Sequence, residues 1–504
     1  MADAIIRLHA ADNLVIALAD LPGGTILAGL PVALPGPVPR GHKLATRAIA
    51  RGETVLRYGQ SIGQATEDIP AGGHIHSHNL GMGPHSTDYA MGTQATPLPP
   101  LPGRTFLGYH RADGQVGTRN YIGILTSVNC SGSVARFIAE AAEKDPVLSA
   151  MPNIDGFVPI VHNTGCGMSG VNEGYDTLMR TLKGYARNAN FGGILLVGLG
   201  CEVMQVPDLV GQGRLRPDGN FRYMTIQGTG GTRATIQKGL EVLREMAEVA
   251  SKVARASAPV SKLIIGLQCG GSDGYSGITA NPALGHASDL LVRMGGTTIL
   301  SETPEIYGAE HLLTRRAVSA EVGEKLIERI GWWENYTAIN GGEMDNNPSP
   351  GNKRGGLTTI LEKSLGAAAK GGTTPLTGVY KYAEEVRAKG FTFMDSPGYD
   401  PASVTGQIAG GCNLVCFTTG RGSAFGSKPS PTIKVATNTA MYDRMTEDMD
   451  INAGTILTGE ATVESKGSEI YEMFLRVASG QASKSEAQGL GDYEFVPWQI
   501  GAVM

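Results

Sequence analysis

The chain has 504 residues, of which 41% are hydrophobic and 18% charged, with a net charge of −5 and a pI near 6.1. That length exceeds what one compact core supports and points to about three folding units. No basic run suggests nucleic acid, and no apolar run approaches the ~20 residues of a membrane helix.

The opening MADAIIRLHAADNLVIALADL carries Asp3, Arg7, Asp12 and Asp20 inside its apolar pattern, unlike a signal peptide. Residues 1–92 read as a small all-β domain. Ile5, Ile6 and Leu8, then Leu14 to Leu18, predict a hairpin around Ala11-Asp12-Asn13, and Thr54–Tyr58 and Ser61–Thr66 predict short strands. The domain ends in GGHIHSHN, with His74, His76 and His78 alternating. On a strand the three imidazoles share a face and can ligate Fe, Mn or Zn. Same-face neighbours are ~7 Å apart, so two of the three are expected to bind, and His76 and His78 are the candidates. The alternative is the polar face of an edge strand. Residues 93–104, TQATPLPPLPGR, form a Pro-rich linker.

Beyond it, residues 105–258 and 259–504 read as two α/β units with mostly parallel, Rossmann-like sheets. Four apolar runs each stop at a cysteine-bearing loop: Tyr121–Val128 at Cys130, Phe157–Val161 at His162 to Cys166, Ile194–Leu199 at Cys201, and Leu263–Leu267 at Cys269. Ligands of open parallel sheets sit beyond the carboxyl ends of the strands. Four strand-end cysteines are thereby expected to converge on one crevice, although any single cysteine also serves as a small buried hydrophobe. With six cysteines in 504 residues there is no disulfide framework, and a reducing cytoplasm fits. A helix after Ser131 or Ser133 is expected to face Val134, Phe137, Ile138 and Ala141 inward, and further helices are expected over Thr232–Ala254 and Ser319–Ile330.

Three loops add charge. Ser301-Glu302-Thr303-Pro304-Glu305 follows the strand Thr297–Leu300 with two carboxylates, suited to metal ligation, base catalysis or helix capping. NPSPGNKRGG (347–356) offers Lys353 and Arg354 to a carboxylate, and TTGRG (418–422) offers backbone N–H groups and Arg421 to an anion.

HIHSHN (74–79), DGQVGTRN (113–120), GLGCE (198–202), CGGSDGYSGITANPALG (269–285), ETPEIYGAE (302–310), NPSPGNKRGG (347–356), FTTGRG (417–422) and DMDINAG (448–454) resemble the altronate/galactarate dehydratase family over essentially the whole chain. The resemblance implies a β-clip N-terminal domain and dehydration of a C6 sugar acid to its 2-keto-3-deoxy acid, with a divalent metal, Fe²⁺ or Mn²⁺. The histidine run is similar to the altronate branch, and Tyr109–Asn120 and Asp448–Gly459 to the galactarate branch. An altronate-type aldonate is the expected substrate, with galactarate or a sulfolactate sulfo-lyase-like reaction as alternatives. A non-catalytic organic-acid-binding protein and a homo-oligomer also stay open. Catalysis is expected from His162, Cys166 and Asp273, and substrate binding from Ser272, Ser276, Asn281, Lys353, Arg354 and Arg421. Metal ligation is expected from His76, His78, Cys166, Cys201 and Cys269. The rival cofactor is an iron–sulfur cluster on three of Cys130, Cys166, Cys201 and Cys269.

Overall fold

The computed structural model describes residues 4–84, 87–211, 215–216 and 218–503. Its N-terminal part is built of short antiparallel strands. β1 (Ile5–Ile6), β2 (Leu14–Ala17), β3 (Lys43–Ala45) and β4 (His74–Ile75) form one sheet in that order, the β1–β2 hairpin pairing Ile5 with Ala17. Leu14, Ile16, Val55, Ile62 and Ile75 fill its core, which continues into Tyr275, Ala309, Leu365 and Ala368 of the C-terminal region. The β domain and the α/β body thus share apolar packing.

The second region is a four-stranded parallel sheet of β5 (Tyr121–Thr126), β6 (Phe157–Ile160), β7 (Phe191–Gly198) and β8 (Phe221–Thr225), in the order β6-β5-β7-β8. β5 and β7 are buried throughout, which is why they read as unbroken apolar runs. α1 (Gly132–Glu143), α2 (Glu173–Arg187) and α3 (Thr232–Ala250) flank it. α1 buries Val134, Ala135, Ile138, Ala139 and Ala142. Phe137, expected inward, is 48% exposed, because the buried stripe runs along the small residues on the other side of Ile138.

The third region carries a seven-stranded parallel sheet: β9 (Ile264–Cys269), β10 (Thr297–Leu300), β11 (Leu376–Tyr380), β12 (Gly390–Met394), β13 (Leu414–Thr419), β14 (Thr432–Ala436) and β15 (Ile451–Asn452), in the order β11-β12-β10-β9-β13-β14-β15. α4 (Ala280–Arg293), α5 (Ala320–Ile339), α6 (Pro350–Arg354), α7 (Ile360–Ala368) and α8 (Val463–Ala478) are among its helices. Leu125, Ile194 and Leu196 of the smaller sheet share one apolar cluster with Val415 and Phe417 of the larger. Among the described residues no helix is long and apolar enough to cross a membrane.

Candidate functional site

β9 lies at the middle of the larger sheet, and its carboxyl end opens into the Gly270–Ile278 loop, where a ligand of such a sheet is expected. The β domain docks on this loop. Tyr275 Oη donates to Ala17 O at 2.8 Å and Arg57 Nη2 to Gly274 O at 2.6 Å. Gly274 is required here, since a Cβ would strike the Gly41 carbonyl oxygen. Beside it, Glu362 of α7 is fully buried between two cations of the β domain. Lys43 Nζ is 2.9 Å from Oε2, and Arg57 Nη1 bonds Oε1. Burial alone would raise the Glu362 carboxyl, but Lys43 and Arg57 outweigh it and hold it down to about 2.

The seam so formed is basic. His42 Nδ1 and His74 Nε2 share a hydrogen bond of 3.0 Å. The rings of His42 and His76 stack at 4.9 Å, those of His74 and His76 at 5.5 Å, and His74 and His78 lie 5.6 Å apart. Burial, then the neighbouring His76 and Lys43, lowers His42 to about 4; burial, His42 and His76 lower His74 to about 3. Both rings are therefore neutral near pH 7, the form that ligates metal. His76 Nε2 bonds Lys353 O at 2.8 Å, which ties the run to α6, itself closed by a Ser349–Asn352 capping box. Only His74 is in a strand; the chain turns at His76, whose carbonyl oxygen accepts from both Asn79 N and Leu80 N. The strand-face expectation is corrected accordingly: the rings cluster because the chain turns. His42, which the histidine run alone does not point to, joins them because Leu44 is registered with His74.

Behind the seam lies a buried charged group. Cys269 ends β9, and Glu302 and Glu305 follow β10. Their ligand atoms all lie within 4.8 Å of one another, and among the described residues no other group of three His, Cys, Asp or Glu does so. Lys370 Nζ is 2.7 Å from Cys269 Sγ and 3.7 Å from Glu302, while Lys363 Nζ holds Glu305 Oε1 at 2.6 Å. Glu302 does not cap the turn that follows, and neither carboxylate oxygen has a hydrogen-bond partner, although the residue is fully buried. It also sits at φ 74°, a left-handed conformation that costs a non-glycine residue ~1–3 kcal/mol. Burial and then Glu305 raise the Glu302 carboxyl well above its usual range, and burial and then Glu305 raise Asp400 to about 7. Burial pushes the Cys269 thiol up to about 12 against the pull of Lys370. For Glu305 burial is outweighed by Lys363 and Lys370, so it is the ionised member. One thiol and two carboxylates, with Glu302 orphaned and strained, fit a divalent Fe or Mn ion. A cavity of about 10 Å³, lined by Arg57, Ser272, Asp273, Ser276, Asn281 and Lys363 among others, separates this group from the seam and has room for one water.

The expected substrate-binding residues Ser272, Ser276 and Asn281 and the expected catalytic residue Asp273 line this cavity, but several are already satisfied. Asp273 accepts from Tyr275 N, Ser276 Oγ, Thr437 Oγ1 and Asn438 Nδ2. Asn281 spans Gly366 O and Thr418 Oγ1, and the Ser272 carbonyl accepts from Asn352 Nδ2. These residues shape the loop. Lys353, Arg354 and Arg421 form no ion pair among the described residues, and Arg421 N donates to Gly271 O. The single sheet edge expected to carry Cys166, Cys201 and Cys269 is not found. Cys166 and Cys201 are exposed on loops of the four-stranded sheet, whereas Cys269 is buried in the seven-stranded one. Strands that look alike in sequence belong to two sheets. His162 is buried, with Nε2 on Thr126 O at 3.1 Å and Nδ1 facing Thr164 N at 3.3 Å, so both nitrogens serve the backbone. Lys363 and Lys370 are not singled out from the sequence; the readable signal is two lysines two helical turns apart in the Leu- and Ala-rich LEKSLGAAAK.

Family models match three consecutive stretches: the altronate/galactarate dehydratase SAF domain over residues 3–83, the second domain of D-galactarate dehydratase/altronate hydrolase over 108–251, and the C-terminal domain of D-galactarate/altronate dehydratase over 260–503. An altronate dehydratase of Bacillus subtilis (strain 168) is 36% identical over 95% of this chain and 96% of its own. The galactarate dehydratase (L-threo-forming) of Escherichia coli (strain K12) is 39% identical over 94% of this chain and 93% of its own. The (2R)-sulfolactate sulfo-lyase subunit beta of Chromohalobacter salexigens is 32% identical over 79% of this chain and 97% of its own.

Proposed function

Because the chain belongs to the altronate/galactarate dehydratase family, whose named members are hydro-lyases, we propose that it removes water from a C6 sugar acid at the seam between the β domain and the carboxyl end of the seven-stranded sheet. The observation that carries this is the buried group of Cys269, Glu302, Glu305, Lys363 and Lys370, with its orphaned carboxyl. Elimination needs the C2 proton taken, negative charge stabilised on C1 and the C3 hydroxyl protonated as it leaves. Lys363 and Lys370 supply fixed positive charge for the developing enediolate. Glu302, kept neutral by burial, holds a proton for the leaving hydroxyl. Asp400, poised at about 7, is suited to take one. Lys353, Arg354 and Arg421 are the groups for a substrate carboxylate at the mouth of the seam. A divalent metal would be held by Cys269 and Glu305, with Glu302 beside it, and there it would polarise the substrate's oxygens. The cavity holds no more than a water, so this reading requires the seam to open for the substrate.

The substrate proposed is an altronate-type aldonate. The aldarate is the second reading: Lys353, Arg354 and Arg421 form no ion pair among the described residues, and their backbones contact His76, His42 and Gly271, so they would suit a second carboxylate. The test is a screen of purified protein, anaerobic with Fe²⁺ or Mn²⁺ and reductant, against altronate, galactarate and sulfolactate. Release of a 2-keto-3-deoxy acid from altronate is expected. Product from galactarate alone selects the second reading, sulfite from sulfolactate overturns dehydration, and no product from any, with folded protein, overturns catalysis.

A further inference from the structure

The cysteines outside the buried group divide sharply. Cys412 and Cys416 are buried, whereas Cys130, Cys166 and Cys201 are free and exposed, an uncommon state for a residue type that is usually interior. Each of the three follows one of three adjacent parallel strands, β6, β5 and β7, on the same carboxyl edge. Neighbouring strands are ~4.8 Å apart, so the three strand ends fall within about 10 Å. The loops carrying the thiols are locked to one another. Asn129 N donates to Thr164 O at 2.9 Å, Asn129 Nδ2 to His162 O at 3.2 Å, and Met204 N to Gly165 O at 3.0 Å. Ser127 Oγ donates to Glu202 Oε1 at 2.6 Å, and Gly200 N to Oε2 at 2.6 Å. Glycines permit the approach: Gly165 has φ 99°, and a Cβ there would strike the Ser127 carbonyl oxygen. The loops are thus built to hold three thiols in fixed relation, open to solvent.

We propose that Cys130, Cys166 and Cys201 form a three-thiolate site for an iron–sulfur cluster, distinct from the buried Cys269 group. A single ion with sulfur at ~2.3 Å holds its ligands less than ~4 Å apart. The thiols come from loops of three adjacent strands, and a polynuclear cluster bridges a wider spacing between ligands than one ion does. Two ferrous and two ferric ions with four inorganic sulfides supply a [4Fe–4S]²⁺ core without net electron transfer, each thiol losing its proton on ligation. With three protein ligands, one iron keeps a position open to an oxygen ligand.

The experiment is anaerobic reconstitution of the full chain with ferrous and ferric iron and sulfide, read by visible absorbance, iron and acid-labile sulfide, with alkylation of each thiol followed by mass spectrometry. A broad visible band is expected, with sulfide bound and with Cys130, Cys166 and Cys201 protected at least tenfold relative to protein stripped by chelator. C130S, C166S and C201S should each lose most of the band and the sulfide. Equal alkylation with and without iron and sulfide, or iron bound without sulfide, overturns the cluster. So does a triple serine variant that retains the chromophore. None of these readouts uses turnover, so failure here is distinct from failure of the dehydration proposal.

Discussion

At the scale of single residues, Glu302 concentrates three departures from what a sequence prefers: a left-handed backbone, complete burial and a carboxyl without a hydrogen bond. Glutamine keeps the shape and removes the proton chemistry. Glu302→Gln is expected to change stability by no more than about 1 kcal/mol, because no hydrogen bond is lost, while kcat falls ~100-fold or more; urea unfolding and steady-state kinetics check both halves. Histidines of the seam should behave similarly. His78 is exposed and His76 half-buried, so alanine at either position should leave the melting temperature nearly unchanged while activity drops ~10–100-fold. Equal loss of stability and activity would return them to a packing role. The histidine run was legible as a cluster because imidazoles so close in sequence stay close in space. His42 was not, since only a strand register invisible in the sequence brings it to His74. Asp273 illustrates the opposite limit: its position beside the site was legible, but Thr437 and Asn438, which help saturate it, come from a distant strand end.

Among the elements, α7 joins the two halves of the site, because consecutive residues point to different partners. Glu362 reaches Lys43 and Arg57 of the β domain, and Lys363 reaches Glu305. With its carboxyl held at about 2 against an ordinary 4.5, Glu362 contributes stability that is fully present above pH 4.5 and lost as the pH falls through 2. The wild-type melting temperature should therefore fall steeply across that window. Glu362→Gln should be less stable at pH 7 by ~3–5 kcal/mol, since two buried cations lose their partner, and nearly flat over the same acid range. Calorimetry from pH 2 to 7 checks this; parallel curves for the two proteins would count against it. Parallel strands were legible as apolar runs stopped by Gly and Cys, since a strand buried on both faces has no other pattern. Their assignment to sheets was not, because runs of identical character feed either one, and that is why the cysteines were expected together.

For the whole molecule, the question is what holds the four-stranded sheet against the seven-stranded one, and the C-terminal segment supplies part of the answer. Phe495 packs edge-on to Tyr185 of α2 at 4.4 Å and to His162 at 6.1 Å, and Gln499 Nε2 donates to Asn163 Oδ1 at 2.5 Å. Between them Trp498 stacks on Trp333 of α5 at 5.2 Å, with the rings 3° from parallel. Trp333 Nε1 in turn donates to Asp395 Oδ1 at 2.8 Å, and the same oxygen accepts from Thr303 Oγ1 at 2.5 Å, one residue beyond Glu302. A continuous set of contacts therefore runs from the loop of Cys166 through the C-terminal segment to the buried carboxylates. Trp332, Trp333 and Trp498 are all the tryptophans of the chain, so intrinsic fluorescence reports on this junction alone. Trp498→Ala is expected to cost about 2 kcal/mol, less than a fully buried tryptophan because Trp498 is only half-buried. Its emission should shift to the red as Trp333 is uncovered, and kcat should fall several-fold through the Asp395–Thr303 link with KM little changed. A variant that loses the stability but keeps the wild-type kcat would show that the junction holds the sheets together without positioning Glu302.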